Sequence, residues 1–288
     1  MHAAVCDLPA VRQESNRAAA LLAPYLRAWE RHDVQLGIRS WDGWHLKDYA
    51  ALFPAAMLEI PPHAFPSPSL VSRLRESVRG RLSLLVSDDM LVYRFPYGHP
   101  DPGCRGERNE RFLEPDGLVE RVFARLGEFG DRLGVVVLDI PRIYPTEGPV
   151  FGRVLSRLDR LLSALPRRWP LAVALHNGGY VLPDYLACLR EHRVGHVLRS
   201  GRDMPPLLEQ LPGMPEEGPL LIDLSAKALE RELLGVAEAV RRSLERGMSL
   251  SVYAGDRPDE RAMAVLLALM TVLNPELAKR SVLRRHAA

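Results

Sequence analysis

The sequence predicts an α/β chain folded as a TIM-like (β/α)8 barrel with an extra N-terminal helix. Eight short apolar segments recur along the 288 residues. Most are continuous apolar runs, not alternating ones, which is the pattern of parallel strands buried on both faces. Amphipathic stretches lie between them, and strand alternating with helix eight times is the rhythm of a barrel. A nucleotide-binding open sheet is set aside, because no GxGxxG follows the first strand and no P-loop occurs.

The elements follow in order. Residues 10–33 carry Leu21, Leu22, Tyr25, Leu26 and Trp29 at helical spacing and read as a helix covering the bottom or side of the barrel. This predicts an N-terminal helical extension over 1–33 and a barrel domain over 34–288. The strands are VQLGIRS from 34, AAMLEI from 55, RLSLLVS from 81 and GVVVLDI from 134, then PLAVALH from 170, GHVLRS from 195, GPLLIDLS from 218 and MSLSVYAG from 248. Ser67 and Ser69 cap a helix bearing Leu70, Val71, Leu74 and Val78. Leu118, Val122, Phe123, Leu126 and Phe129 share a second helical face, and Val154, Leu155, Leu158, Leu161 and Leu162 a third. Two more helices close on Gly195 and Gly247. The segment 96–114, rich in Pro, Gly and Arg, is longer than a strand-to-helix connection needs. It is expected to hang over the mouth and to be mobile or act as a lid, offering His99 or Arg105 at most transiently.

Composition narrows the function. With 38 basic and 36 acidic side chains, formal net charge +2, no basic excess points to nucleic acid. Cys6, Cys104 and Cys188 are too few and too widely spaced for a disulfide framework or a zinc site, so reduced thiols in a cytoplasmic protein are expected. The N-terminus lacks signal-peptide features, and the longest apolar run, AMAVLLALMTVL, is too short to span a bilayer. A small-molecule ligand is the expected partner.

Barrels of this type carry their chemistry at the carboxyl ends of the strands. There the sequence places Trp41, Glu59, Asp88, Asp89, Asp139, His176, Asn177, Arg199, Asp223 and Asp256. Strand ends meet water, so Asp88, Asp89 and Arg199 are read as caps and ordinary polar residues. Glu59, Asp139 and Asp223 sit among apolar neighbours, where a carboxylate needs a partner. They are the candidate catalytic residues together with His176. Trp41, Asn177, Tyr180 and Asp256 are the candidate ligand-binding residues.

These residues, in this order, resemble the family called domain of unknown function 72, the YecE-like proteins, over roughly residues 35–273, as a divergent member. GIRSW keeps Gly37 and Trp41 of that family's first strand end, and LEIPPHAFPSPSL keeps Glu59, Phe65 and Pro66-Ser67-Pro68. RLGVVVLDIP has Asp139 where glutamine is usual. In AVALHNGGY, Ala174, His176, Asn177 and Tyr180 stand where the family has glutamate, arginine, histidine and tryptophan. Ser87 replaces a lysine, Asp223 and Ser225 lie where Arg and His are usual, and Gly255 and Asp256 replace an Asn pair. The resemblance implies a TIM-like barrel with a polar pocket at the strand carboxyl ends and no established reaction. Here the family's cations are exchanged for Asp, His and Ser, so the pocket is expected to be more acidic.

Two functions follow. One is a small-molecule hydrolase or isomerase in which Glu59, Asp139, Asp223 and Asp256 act as acids, bases or ligands to a divalent metal, with His176 as base or ligand. Like charges so gathered need neutralising by protonation, by a metal, or by Arg39, Arg142 or Arg199. The other is a non-catalytic barrel that binds a small ligand or a partner protein.

Overall fold

The structure is a computed structural model. It describes residues 17, 18, 20–25, 34–38, 50, 53, 55–61, 64–144, 151–201, 203–211, 219–224 and 229–254. Eight parallel strands are present: β1 (Val34–Ile38), β2 (Ala56–Ile60), β3 (Leu82–Val86), β4 (Leu133–Ile140), β5 (Leu171–Leu175), β6 (Gly195–Arg199), β7 (Leu220–Leu224) and β8 (Leu250–Ala254). They run in the order β1-β8-β7-β6-β5-β4-β3-β2. The ends of this sheet meet where β1 and β2 approach each other. A side chain on Gly37 of β1 would lie 2.5 Å from the Ala55 carbonyl, so glycine is what lets the two strands come this close. The result is a nearly closed TIM-like barrel, at the predicted positions to within a residue or two.

Strand alternation divides the core in two. Ala55, Met57, Leu85, Val135, Val137, Ala172, Ala174, Val197, Leu221 and Tyr253 form a small inner cluster. The alternate residues, such as Leu84, Val136, Val173, Leu198 and Ile222, join the larger outer cluster under the helices. Both faces of β2 to β8 are therefore buried, which is why these segments read as continuous apolar runs.

The helices are α1 (Pro68–Ser77), α2 (Pro115–Arg121), α3 (Phe151–Ala164), α4 (Pro183–Glu191), α5 (Leu207–Gln210) and α6 (Leu229–Arg246). Ser67 caps α1, accepting from the Leu70 amide at 3.3 Å, as the sequence predicts. Three findings differ from expectation. The predicted second helix is α-helical only to Arg121 and continues as a tighter 3-10 segment from Phe123 to Arg132. Gly130, at φ 56°, interrupts it, while the predicted apolar residues still face the core. The short α5 carries no helical period that so few residues could display.

The third concerns 96–114, which is packed down instead of raised as a lid. Arg94 and Arg108 form an antiparallel bridge, and the Asn109 amide donates to the Asp89 and Val92 carbonyls at 2.7 and 2.9 Å. Phe112 and Leu113 are wholly buried. His99 stacks on Phe95 and bonds Asp89, and Arg105 donates to the His99 carbonyl at 2.7 Å.

Ala18 and Leu22 of the N-terminal helical stretch join the outer core. Trp29 and the expected boundary at residue 33 lie outside the described residues. Among the described residues no helix is long and apolar enough to cross a membrane.

Candidate functional site

Inward-facing positions are fixed by phase. On β4 the inward residues are Val135 and Val137, and the next is Asp139. On β5 they are Ala172 and Ala174, and the next is His176, one residue past the strand, whose amide continues the ladder to the Ile140 carbonyl at 3.3 Å. Val197 is followed on β6 by Arg199, and Leu221 on β7 by Asp223. Four adjacent strands thus deliver four polar side chains to one arc at the carboxyl end of the barrel.

These four side chains touch. The His176 imidazole Nε2 lies 2.7 Å from Asp139 Oδ1. Arg199 Nη1 donates to the same oxygen at 3.1 Å, and Arg199 Nη2 reaches Asp223 Oδ2 at 3.0 Å. Arg199 and Asp223 are also direct cross-strand neighbours in the β6–β7 ladder. Arg199 Nη1 and His176 Nε2 are in close contact as well. A ring nitrogen carries either a proton for Asp139 or a lone pair for Arg199, not both. Asp139 Oδ1 is the point on which both converge, so we assign the proton to Nε2, donated to the carboxylate. Nδ1 then keeps the lone pair.

Burial sorts the roles. The Asp139, Asp223 and Arg199 side chains are only 9, 10 and 11% exposed, whereas His176 is 30% exposed. The imidazole is therefore the member that meets the mouth, and the ions behind it are held in the wall. Arg199 was read from the sequence as an ordinary strand-end residue and, at most, as one of three cations able to neutralise the acids. An arginine ending a strand has an ordinary explanation in solvent, and only the strand register reveals that it faces Asp223 and spans to Asp139. Its backbone is fixed too. The Gln210 side chain accepts from the Arg199 amide at 3.1 Å and donates to its carbonyl at 2.7 Å.

The other candidates fall elsewhere. Glu59 points inward in phase with Met57, but it is exposed and sits on β2, across the barrel from β6. The structure does not bring it into the cluster. Asn177 is committed to the wall: its Oδ1 accepts from the Ile143 amide at 2.8 Å, and its Nδ2 donates to the Ile143 carbonyl at 2.7 Å. Tyr180 packs on Phe151 at 5.3 Å between ring centres, against the outer core. Trp41 and Asp256 lie outside the described residues. Asp88 is the predicted cap, accepting from the Met90 amide at 2.9 Å and pairing with Arg121 at 2.7 Å.

The loops of this arc interlock. Arg142 after β4 pairs with Asp203 after β6. A Cβ on Gly178 would lie 2.3 Å from the Asp203 carbonyl, so the glycine after His176-Asn177 is required by a neighbouring loop pressed against it. As for a metal, the guanidinium already stands between Asp139 and Asp223. Among the described residues the three-ligand group of metal-binding type lies outside the mouth, at Asp159, Cys188 and His192.

Comparison with known proteins agrees with this architecture. A DUF72 family protein from Enterococcus faecalis V583 is 16% identical and superposes with a TM-score of 0.55, over 84% of this chain and 98% of that one. A DUF72 family protein from Thermotoga maritima MSB8 is also 16% identical, with a TM-score of 0.57 over 84% of this chain and 99% of that one. At such identity the likeness concerns the fold alone. No functionally curated protein matches the chain. The model of the family described as protein of unknown function DUF72 matches residues 26–286, and the chain belongs to that family.

Proposed function

We propose that the mouth is an acid–base site acting on a small, polar, uncharged or cationic molecule, in the manner of a hydrolase or isomerase. The observation that carries this reading is the 2.7 Å bond between buried Asp139 and half-buried His176. A carboxylate holding one imidazole nitrogen fixes the ring and its tautomer, leaving the other nitrogen to take up and return a proton. Asp139 is then a positioning residue, and Arg199, itself paired with Asp223, holds Asp139 in place.

Charge sets the substrate class. Among the described residues of this rim, Asp139, Asp223 and exposed Glu59 are carboxylates and Arg199 is the guanidinium between the first two. The guanidinium is already shared between two carboxylates, so it is not free to receive a phosphate. Polyanionic substrates are disfavoured, and neutral hydroxylated compounds or amines fit better. A divalent metal is the weaker reading, since the Arg199 guanidinium already occupies the space between the two acids.

The test is a thermal-shift panel of neutral sugars, polyols, amides and amines, with turnover of each binder followed by NMR. A compound that stabilises both wild type and His176→Gln should be converted by wild type, and roughly 10²–10⁴-fold more slowly by the variant. Binding without turnover in either protein would favour the non-catalytic binding module instead.

A further inference from the structure

We propose that Asp159, Cys188 and His192 form a second site, on the outer helix layer, that binds a zinc-like divalent cation. Cys188 lies in α4, and His192 follows one turn later as its cap, its amide bonded to the Cys188 carbonyl at 3.3 Å. That spacing puts thiol and imidazole on one face. Asp159 comes from neighbouring α3. One ligand atom from each residue lies within 4.8 Å of the others. The sequence did not point here, because cysteine spacing alone predicts no zinc site and the other two ligands come from histidine and aspartate.

The donor set is one sulfur, one nitrogen and one oxygen, which suits tetrahedral zinc with water in the fourth position. His192 Nε2 and Asp159 Oδ1 stand 2.7 Å apart as a hydrogen bond, and a tetrahedral metal would spread them to about 3.3 Å. A second feature sets His192 apart from an ordinary surface ion pair. Its side chain is only 9% exposed, and its Nδ1 is buried with no hydrogen-bond partner among the described residues. Binding breaks the Cys188 S–H bond, forms a sulfur–metal bond and releases one proton to solvent. His192 ends α4 on the side of the barrel where β6 begins, opposite the mouth, so the ion would clamp α3 to α4 and take no part in chemistry at the mouth.

Cobalt(II) is the probe. Metal-free full-length protein should bind one Co²⁺ with a thiolate-to-cobalt charge-transfer band. The band should vanish in Cys188→Ser and persist in Cys104→Ser. Asp159 is more than half exposed, so Asp159→Asn should fold normally and weaken binding by about tenfold or more. Absence of the band in wild type, or its survival in Cys188→Ser, overturns the site. If Cys188→Ser fails to fold, unweakened binding in Asp159→Asn overturns it.

Discussion

Among the described residues, Arg199 ties together more of the mouth than any other side chain. It donates to Asp139 and Asp223 from a position that is itself about nine-tenths buried. Removing one partner of a buried ion pair is far costlier than never having built it, because charge is left in a poorly solvating site. Arg199→Met should therefore destabilise the protein by about 3 kcal/mol. Adding Asp139→Asn and Asp223→Asn to that variant should recover part of the loss, read in urea unfolding curves. A loss below about 1 kcal/mol, the range of a surface ion pair, would mean that solvent and not the guanidinium satisfies these acids. At this scale the sequence was only half legible. Asp139, His176 and Asp223 stand out as polar groups ending apolar runs. Arg199 and Asn177 do not announce their roles, since one depends on cross-strand register and the other on a loop 34 residues away.

Elements were the most legible level. Eight strands and most helices follow from apolar runs and periodicity, because burial on both faces leaves a direct mark on composition. The 96–114 segment misled for a physical reason: its Pro and Gly residues signal irregular backbone, and irregular is not the same as loose. Within β6, alternation places His196 outward as Arg199 faces inward. His196 is wholly buried against Tyr185, whose hydroxyl lies 3.1 Å from Nδ1. Burial, and then the nearby Arg199 charge, push its pKa down from 6.5 to about 4. Between those values the unfolded chain binds a proton that the folded chain refuses, so stability falls as pH drops through this window and levels off below it. The contribution is roughly 3 kcal/mol. His196→Gln should flatten the stability profile between pH 6.5 and 4 when unfolding is measured across that range. An unchanged slope would show that His196 titrates normally in the fold.

The molecule is a DUF72 barrel whose inner cluster is small and whose carboxyl rim, along β4 to β7, is a connected ionic wall carrying the half-buried His176 imidazole. Fold membership was legible in the Pro66-Ser67-Pro68 helix start and the strand rhythm, because these serve the scaffold. The reaction was not legible, since no sequence motif marks a register-dependent cluster such as Asp139, His176, Arg199 and Asp223. The account rests on His176 donating from Nε2 to Asp139 and keeping a lone pair on Nδ1. Long-range ¹H–¹⁵N NMR of the histidine rings reads this directly, with His176→Gln supplying the assignment. The predicted result is a ring carrying its proton at Nε2 in the ligand-free protein. A ring protonated at Nδ1 instead, with Nε2 accepting from Arg199, would contradict it and leave the mouth without its base.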